Sequence, residues 1–179
     1  MFVKVCGLTG EEQIEWAAEL GYSAIGVVLH PGSPRYCIPE KAERLARHAG
    51  NSVIRVAVGL TLEEVEPVID FFDYVQIYQY RKVKNLILAG DEYLQGDYSY
   101  FLYDRSRGSG EENDFPEWLS SLSEWLIISG GLNESNVGRI LKNIKCFGVD
   151  VSSGVEGRKG MKDFEYMRRF IREVRNAER

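Results

Sequence analysis

The sequence predicts an α/β protein that folds as a parallel (β/α)8 TIM barrel, and two observations carry this prediction. Short apolar runs typical of buried strands alternate with segments of helical spacing, which indicates right-handed crossovers and a parallel sheet. We count eight such runs in 179 residues, the number of strands that closes this barrel. An open doubly wound sheet is the best alternative, but no GxGxxG segment follows the first run to support a dinucleotide site. We expect one domain, residues 1–179.

The predicted strands and helices follow one another along the whole chain. The strands are the apolar runs at residues 2–6, 24–29, 53–59, 74–78, 85–89, 98–103, 124–129 and 146–152. The helices are the segments with helical spacing at 11–20, 40–49, 61–72, 115–122, 133–143 and 163–175. Helices therefore follow every strand except the fourth and the fifth.

The outside of the barrel beside the fourth and fifth strands is predicted to lack the helices that normally cover it. Only six residues, QYRKVK at 79–84, join the fourth strand to the fifth, whereas a crossover that contains a helix needs about 10–12 residues. The segment 90–97 has room for one turn at most, so we expect the helix after the fifth strand to be reduced or missing. An apolar wall of several hundred Å² would then be exposed, which predicts a possible homodimer through this face. The alternative is that the tyrosines between Tyr74 and Tyr103 cover the wall.

The composition excludes several classes of function. A formal net charge of −5 argues against a nucleic-acid partner, because proteins that bind phosphate backbones usually carry a basic excess. No apolar run of about 20 residues predicts a membrane span, and Met1 leads directly into the first strand without a signal-peptide pattern. The three cysteines are odd in number and widely spaced, which predicts a reducing, cytoplasmic location. Neither histidine is spaced to form a metal site with a cysteine, so we predict no metal.

Three chemically active side chains lie at the carboxyl ends of predicted strands, where barrels of this type place their active sites. Cys6 ends the first strand, Asp104 ends the sixth and Asp150 lies near the end of the eighth. Strand alternation puts Lys4 on the same inward face as Cys6, and a nearby ammonium lowers the pKa of a thiol. Each residue also has a structural explanation. Cys6 would be a small buried hydrophobe, Asp104 a helix cap or the ion-pair partner of a following arginine, and Asp150 an acceptor for loop amides.

Two glycine-containing turns follow the last two predicted strands. SGGLNE at 129–134 follows the seventh strand, and SSGVEG at 152–157 follows the eighth. Glycine amides can approach an anion closely, and barrels of this type often bind phosphate with these two loops. The small, polar sequence after the eighth strand therefore predicts a backbone that wraps a phosphate group.

Six segments carry a resemblance to a known family. They are VKVCGLT (3–9), AIGVVLHPGSPRY (24–36), YVQIY (74–78), YFLYDRSRGSG (100–110), ISGGLNESNV (128–137) and VDVSSGVEGRKGMKD (149–163). In this order the chain resembles the phosphoribosylanthranilate isomerase family of tryptophan biosynthesis, whose members are (β/α)8-barrel enzymes. The combination of the VKVCG opening, the SPRY loop and the VDVSSGVE ending is specific to that family.

The resemblance implies the Amadori rearrangement of N-(5'-phosphoribosyl)anthranilate, an aminoaldose, to an aminoketose, without a cofactor. It implies that Asp104 is the general acid that protonates the furanose ring oxygen, and that Cys6 is the general base that removes the C2' proton. Arg35 matches the residue that binds the substrate carboxylate, and Asp150 matches a polar residue of the substrate site. The residues implied for phosphate binding are Gly130, Gly131, Ser153 and Gly154.

The chain departs from the family pattern in two sequence motifs and in its missing fourth helix. VQIYQY stands where the family usually has a VQLHG-like motif, and GSGEENDFPEW stands where it has GGTG and a Phe-Asp-Trp segment. Two other functions stay open. One is a related aminoaldose-phosphate isomerase, including a bifunctional one, although such bifunctional barrels usually use paired aspartates and this chain has Cys6. The other is a degenerate barrel that acts as a binding or interaction subunit, which the missing helix would favour.

Overall fold

A closed barrel of eight parallel strands forms the centre of the molecule, in a computed structural model that describes residues 1–104 and 115–178. Each strand pairs with its neighbours in chain order, and β8 pairs with β1 to close the barrel. The strands are β1 (Phe2–Cys6), β2 (Ala24–Val28), β3 (Ile54–Val58), β4 (Tyr74–Ile77), β5 (Leu86–Gly90), β6 (Tyr100–Asp104), β7 (Leu126–Ser129) and β8 (Gly148–Val151). The predicted fold class is confirmed.

The helices lie between the strands and cover the outside of the barrel. They are α1 (Glu11–Leu20), α2 (Pro39–Ala49), α3 (Leu62–Val65), α4 (Val137–Asn143) and α5 (Phe164–Ala177), with 3₁₀ helices at Glu66–Phe71, Glu117–Leu122 and Ser153–Val155. The side chain of Asp163 caps α5 by accepting a hydrogen bond from the backbone N–H of Tyr166 at 3.0 Å. A short antiparallel hairpin, β9 (Glu156–Arg158) and β10 (Met161–Lys162), connects β8 to α5 and was not predicted.

Prolines shorten two of the predicted helices. The segment predicted as one helix over 61–72 is α3 followed by a 3₁₀ helix, because Pro67 lacks an N–H and its ring clashes with the carbonyl of the preceding turn. Pro116 is the second residue of the segment predicted as a helix over 115–122, and it directly precedes the 3₁₀ helix Glu117–Leu122 that the structure has there. These changes alter the wall of the barrel but leave the order of its strands unaffected.

Strand alternation divides the apolar side chains into two layers. Side chains that point outward from the strands, such as Val5, Ile25 and Phe101, pack against the helices in the larger core. Side chains that point inward, such as Val56, Ile87 and Leu102, form a second core inside the barrel. The inward layer also contains Lys4, Gln76, Asp104 and Asp150, which are the buried polar residues of the eight barrel strands. The barrel interior therefore contains both apolar and polar side chains.

The wall beside β4 and β5 is thin, as predicted, but it is not exposed. Residues 78–85 and 91–99, all of them described, contain no helix. The outward side chains Val75, Ile77, Leu86 and Leu88 are nevertheless at most 2% exposed. The residues that pack against this core from the incomplete crossovers are Tyr80, Val83 and Tyr98. The expectation of an exposed apolar wall of several hundred Å² is therefore wrong, because rings from the crossovers take the place of helices.

Four aromatic rings close the amino-terminal end of the barrel. Phe2, Tyr100 and Phe147 stack, with ring centroids of Tyr100 and Phe147 4.5 Å apart, and Tyr74 lies 5.8 Å from Tyr100. The predicted active site is at the carboxyl ends of the strands, which is the opposite end of the barrel. No helix in the described part of the chain is long and apolar enough to cross a membrane.

Candidate active site

A cavity of about 300 Å³ lies at the carboxyl ends of the barrel strands. Seven of the eight side chains or loop residues predicted to form the site line it, namely Cys6, Arg35, Asp104, Gly130, Gly131, Asp150 and Ser153. These residues come from the ends of β1, β6, β7 and β8 and from the loop after β2. The eighth, Gly154, lies in the loop after β8 and packs against the loop after β7. The fold therefore brings the predicted residues together.

A buried ion pair joins β1 to β8 beneath the cavity. Lys4 is fully buried, and its Nζ donates a hydrogen bond to Asp150 Oδ1 at 2.9 Å. Ser129 Oγ donates to the other carboxylate oxygen, Oδ2, at 3.1 Å. The barrel register makes this pair, since Lys4 and Asp150 are directly opposed in the parallel pairing of β1 with β8. Burial alone would lower the pKa of Lys4, but the charge interactions and hydrogen bonds with Asp150 and Cys6 together outweigh burial and hold that pKa above its ordinary value.

The thiol of Cys6 shares this environment. A Cβ atom at Gly26 would lie 2.9 Å from Cys6 Sγ and 3.1 Å from Lys4 Nζ, so both groups pack against the same glycine. Burial raises the pKa of Cys6, and the Lys4 ammonium opposes that increase. The thiol is therefore harder to ionise, but its thiolate is the stronger base once it forms. The absence of a side chain at Gly26 makes room for both groups.

Asp104 meets Tyr78 at the cavity wall. The Tyr78 hydroxyl donates a hydrogen bond to Asp104 Oδ2 at 2.7 Å, and both residues line the cavity. Burial is the main cause that raises the pKa of Tyr78, so the phenol remains a hydrogen-bond donor. Gln76 lies two residues before Tyr78 on the inward face of β4, and its buried Oε1 has no hydrogen-bond partner among the residues described.

Arg35 reaches the cavity through a bidentate ion pair. Its Nε donates to Glu156 Oε1 at 2.6 Å and its Nη2 donates to Oε2 at 2.9 Å. Lys162 also donates to Glu156 Oε1, at 2.9 Å, and to the carbonyl of Ser152 at 3.0 Å. Burial would raise the pKa of Glu156, but hydrogen bonds from Arg35 and Lys162 outweigh it and lower that pKa to about 2. Glu156 therefore stays ionised and orients the guanidinium of Arg35, whose Nη1 lies outside this pair.

The two predicted phosphate loops touch each other. Gly130 and Gly131 adopt positive φ angles of 83° and 71°, which allow the chain to turn sharply after β7. A Cβ atom at Gly154 would lie 1.9 Å from the carbonyl oxygen of Leu132, so only glycine permits this approach of the two loops. Ser153 is exposed and lines the cavity. In residues 1–104 and 115–178, no group of three or more His, Cys, Asp and Glu side chains is arranged to hold a metal ion.

Comparison with known families assigns the chain. A profile of the family described as N-(5'phosphoribosyl)anthranilate (PRA) isomerase matches residues 3–173. The chain belongs to this family. An N-(5'-phosphoribosyl)anthranilate isomerase from Sulfurihydrogenibium sp. is 30% identical over 202 residues, which cover 98% of this chain and 100% of that relative. The resemblance of the six sequence segments is thereby confirmed.

Solved structures of family members have the same fold as this chain. A phosphoribosyl anthranilate isomerase in complex with reduced 1-(o-carboxyphenylamino)-1-deoxyribulose 5-phosphate superposes with a TM-score of 0.79 at 26% identity, covering 98% of this chain and 99% of that one. A structure of monomers generated from the dimeric enzyme of Thermotoga maritima also has a TM-score of 0.79 at 26% identity, with 98% coverage of each chain. Members of this family therefore share the closed barrel.

The structure adds contacts that sequence reasoning missed. The Tyr78–Asp104 hydrogen bond and the Glu156–Lys162 pair that holds Arg35 were not predicted. Strand alternation could have found Tyr78, because it continues the inward series of Tyr74 and Gln76. The loop after β6, predicted as a variant of the family's glycine-rich segment, lies at 105–114 outside the described residues.

Proposed function

We propose that this protein is an isomerase of tryptophan biosynthesis that converts N-(5'-phosphoribosyl)anthranilate to 1-(2-carboxyphenylamino)-1-deoxyribulose 5-phosphate. The observation that carries the proposal is the convergence of Cys6 and Asp104 on one cavity, in a chain that belongs to this isomerase family. The rearrangement needs one acid and one base on either side of a small phosphorylated sugar, and a cavity of about 300 Å³ lined by both groups suits that requirement.

The proton transfers follow from these two residues. Asp104 donates its proton to the furanose ring oxygen, which takes the electron pair of the C1'–O bond and becomes a hydroxyl. The nitrogen lone pair forms a C=N bond at the same time, which gives an iminium ion. Cys6 thiolate then removes the C2' proton, and the electron pair of the C2'–H bond produces the enolamine. Tautomerisation to the ketone completes the isomerisation, and no electrons leave the substrate.

Two further groups suit the ends of this substrate. Arg35 is the cation for the anthranilate carboxylate, since Glu156 holds its guanidinium in one orientation and leaves Nη1 outside the pair. The loops that contain Gly130, Gly131, Ser153 and Gly154 would bind the phosphate through backbone amides. Asp150 is the polar partner that holds Lys4 beside Cys6.

A steady-state assay that follows the loss of substrate fluorescence tests the proposal. The wild-type protein should convert N-(5'-phosphoribosyl)anthranilate, and Cys6→Ala should have little activity because it lacks the base. Cys146→Ala is the matched control, because Cys146 lies outside the cavity and should retain full activity. A wild-type protein that binds the substrate without turnover would favour the binding subunit instead. Turnover of a second aminoaldose phosphate would favour the broader isomerase.

The phosphate loops make a separate prediction. Ser153→Asp places a carboxylate in the cavity beside the proposed phosphate, and like charges at close range repel by about 1 kcal/mol or more. We expect KM to rise at least about tenfold with a smaller change in kcat, because tenfold corresponds to about 1.4 kcal/mol. Ser120→Asp, on the exposed face of the 3₁₀ helix Glu117–Leu122, should leave KM unchanged. Equal KM values for both variants would contradict the site.

A homodimer through the face of β4 and β5 stays a prediction. Its support is the relative described as dimeric and the exposure of Tyr93 and Leu94, each 49%, beside the incomplete crossovers. The outward side chains of β4 and β5 are already buried within the monomer, so they do not support a dimer. Light scattering at low and high protein concentration should show twice the monomer mass, and a monomer at both concentrations would contradict the dimer.

A cytoplasmic location is the remaining part of the proposal. Its support is the presence of three free thiols, Cys6, Cys37 and Cys146, which are all in the described part of the chain.

A further inference from the structure

Tyr78 occupies a position from which it can act on the proposed general acid. It follows β4 directly, and its backbone N–H donates to the carbonyl of Leu60 at 3.2 Å, which holds the end of the strand against the loop after β3. Its ring points into the barrel and lines the cavity together with Cys6 and Asp104. The side chain is therefore part of the cavity wall.

The contact between the two side chains is direct. The Tyr78 hydroxyl donates to Asp104 Oδ2 at 2.7 Å, a distance typical of a strong O–H···O hydrogen bond. The phenol remains protonated in this environment, mainly because burial disfavours its anion. A hydrogen bond on one carboxyl oxygen limits the rotation of the group.

The same hydrogen bond changes in strength during the proposed reaction. Asp104 is a neutral acid before ring opening and a carboxylate after it, and a hydroxyl donates a stronger hydrogen bond to a carboxylate than to a carboxylic acid. An interaction that strengthens as negative charge develops lowers the barrier rather than only improving binding.

We propose that Tyr78 is a positioning residue for the isomerisation, one that orients the carboxyl group of Asp104 and stabilises the carboxylate formed when Asp104 gives up its proton. This inference rests on the proposed function. It assigns a role to the tyrosine that stands in this chain where the family motif VQLHG has its histidine.

The test is a double-mutant cycle with the isomerase assay. Tyr78→Phe should lower kcat by roughly 10- to 100-fold, the range that corresponds to the loss of one hydrogen bond to a charged group, with KM changed less than about twofold. In the Asp104→Asn background the same substitution should change kcat by less than about twofold, because the carboxylate that Tyr78 stabilises is gone. Tyr80→Phe is the matched control, since the Tyr80 hydroxyl accepts a hydrogen bond from the backbone N–H of Asp97, outside the barrel. It should retain the wild-type kcat.

The outcomes separate this inference from the proposed function. An active wild-type protein in which Tyr78→Phe keeps its kcat, changes only KM, or acts independently of Asp104→Asn would overturn the role of Tyr78 alone. A wild-type protein with no isomerase activity would overturn the proposed function and this inference with it. Thermal unfolding of each variant identifies any loss of kcat that comes from a loss of folded protein.

Discussion

Replacing Asp104 with Asn should lower kcat by at least about 100-fold, with KM nearly unchanged. The amide has almost the shape of the carboxyl group, and it can still accept the hydrogen bond from Tyr78, but it has no acidic proton to give to the ring oxygen. Ring opening then has to proceed without a general acid, and that contribution is typically worth a factor of 10² to 10⁴ in rate. The measurement is the steady-state fluorescence assay over a range of substrate concentrations.

Asp97→Asn is the control for this substitution. Asp97 is an exposed carboxylate in the crossover before β6, outside the cavity, and it should tolerate the change with wild-type kinetics. A near-normal kcat for Asp104→Asn would show that another group supplies the proton. A loss of activity in both variants would indicate a general effect of charge rather than a specific acid.

Lys4→Met should lower the free energy of unfolding by about 3–5 kcal/mol, the cost of removing one partner from a buried ion pair. Methionine fills most of the volume of the lysine side chain, so the loss comes mainly from Asp150. The Asp150 carboxylate is 4% exposed and would keep its hydrogen bond from Ser129 but lose the opposing charge. Urea denaturation of the wild-type and variant proteins measures the difference.

Two further variants test the cause of the stability loss expected for Lys4→Met. Asp150→Asn in the Lys4→Met background should recover part of the stability, because it removes the uncompensated charge. Arg168→Ala breaks an exposed ion pair with Glu165 in α5 and should cost less than about 1 kcal/mol. A loss below about 1 kcal/mol for Lys4→Met as well would mean that the pair beneath Cys6 is not coupled to the stability of the barrel.

Strand alternation and strand ends were enough to predict where the candidate site lies. Cys6 and Asp104 were placed at the barrel mouth because they end β1 and β6, strand alternation put Cys6 on the inward face, and the structure finds both residues on one cavity. The missing helix between β4 and β5 followed from the length of QYRKVK alone, since six residues cannot form a helical crossover.

The cover of the thin wall could not be predicted in the same way. Tyr80 and Tyr98 lie in irregular segments, where no periodicity shows which side a ring faces. The structure places both rings on the strands, so Leu86 and Leu88 are buried without a helix. Periodicity also missed the change from α to 3₁₀ structure at Glu66, where the helical pattern continues but Pro67 breaks the hydrogen bonding.

The sequence by itself determined the eight strands, their parallel order and the residue types at their carboxyl ends, because these depend on short-range periodicity and on chain length between strands. Only the tertiary structure decided which charges meet. Lys4 and Asp150 are 146 residues apart and form a pair because β8 closes the barrel on β1. Arg35 and Glu156 are 121 residues apart, and Glu156 lies in a hairpin that the sequence analysis did not predict. An ion pair depends on register and on three-dimensional proximity, and neither is encoded in the spacing of residues along one strand.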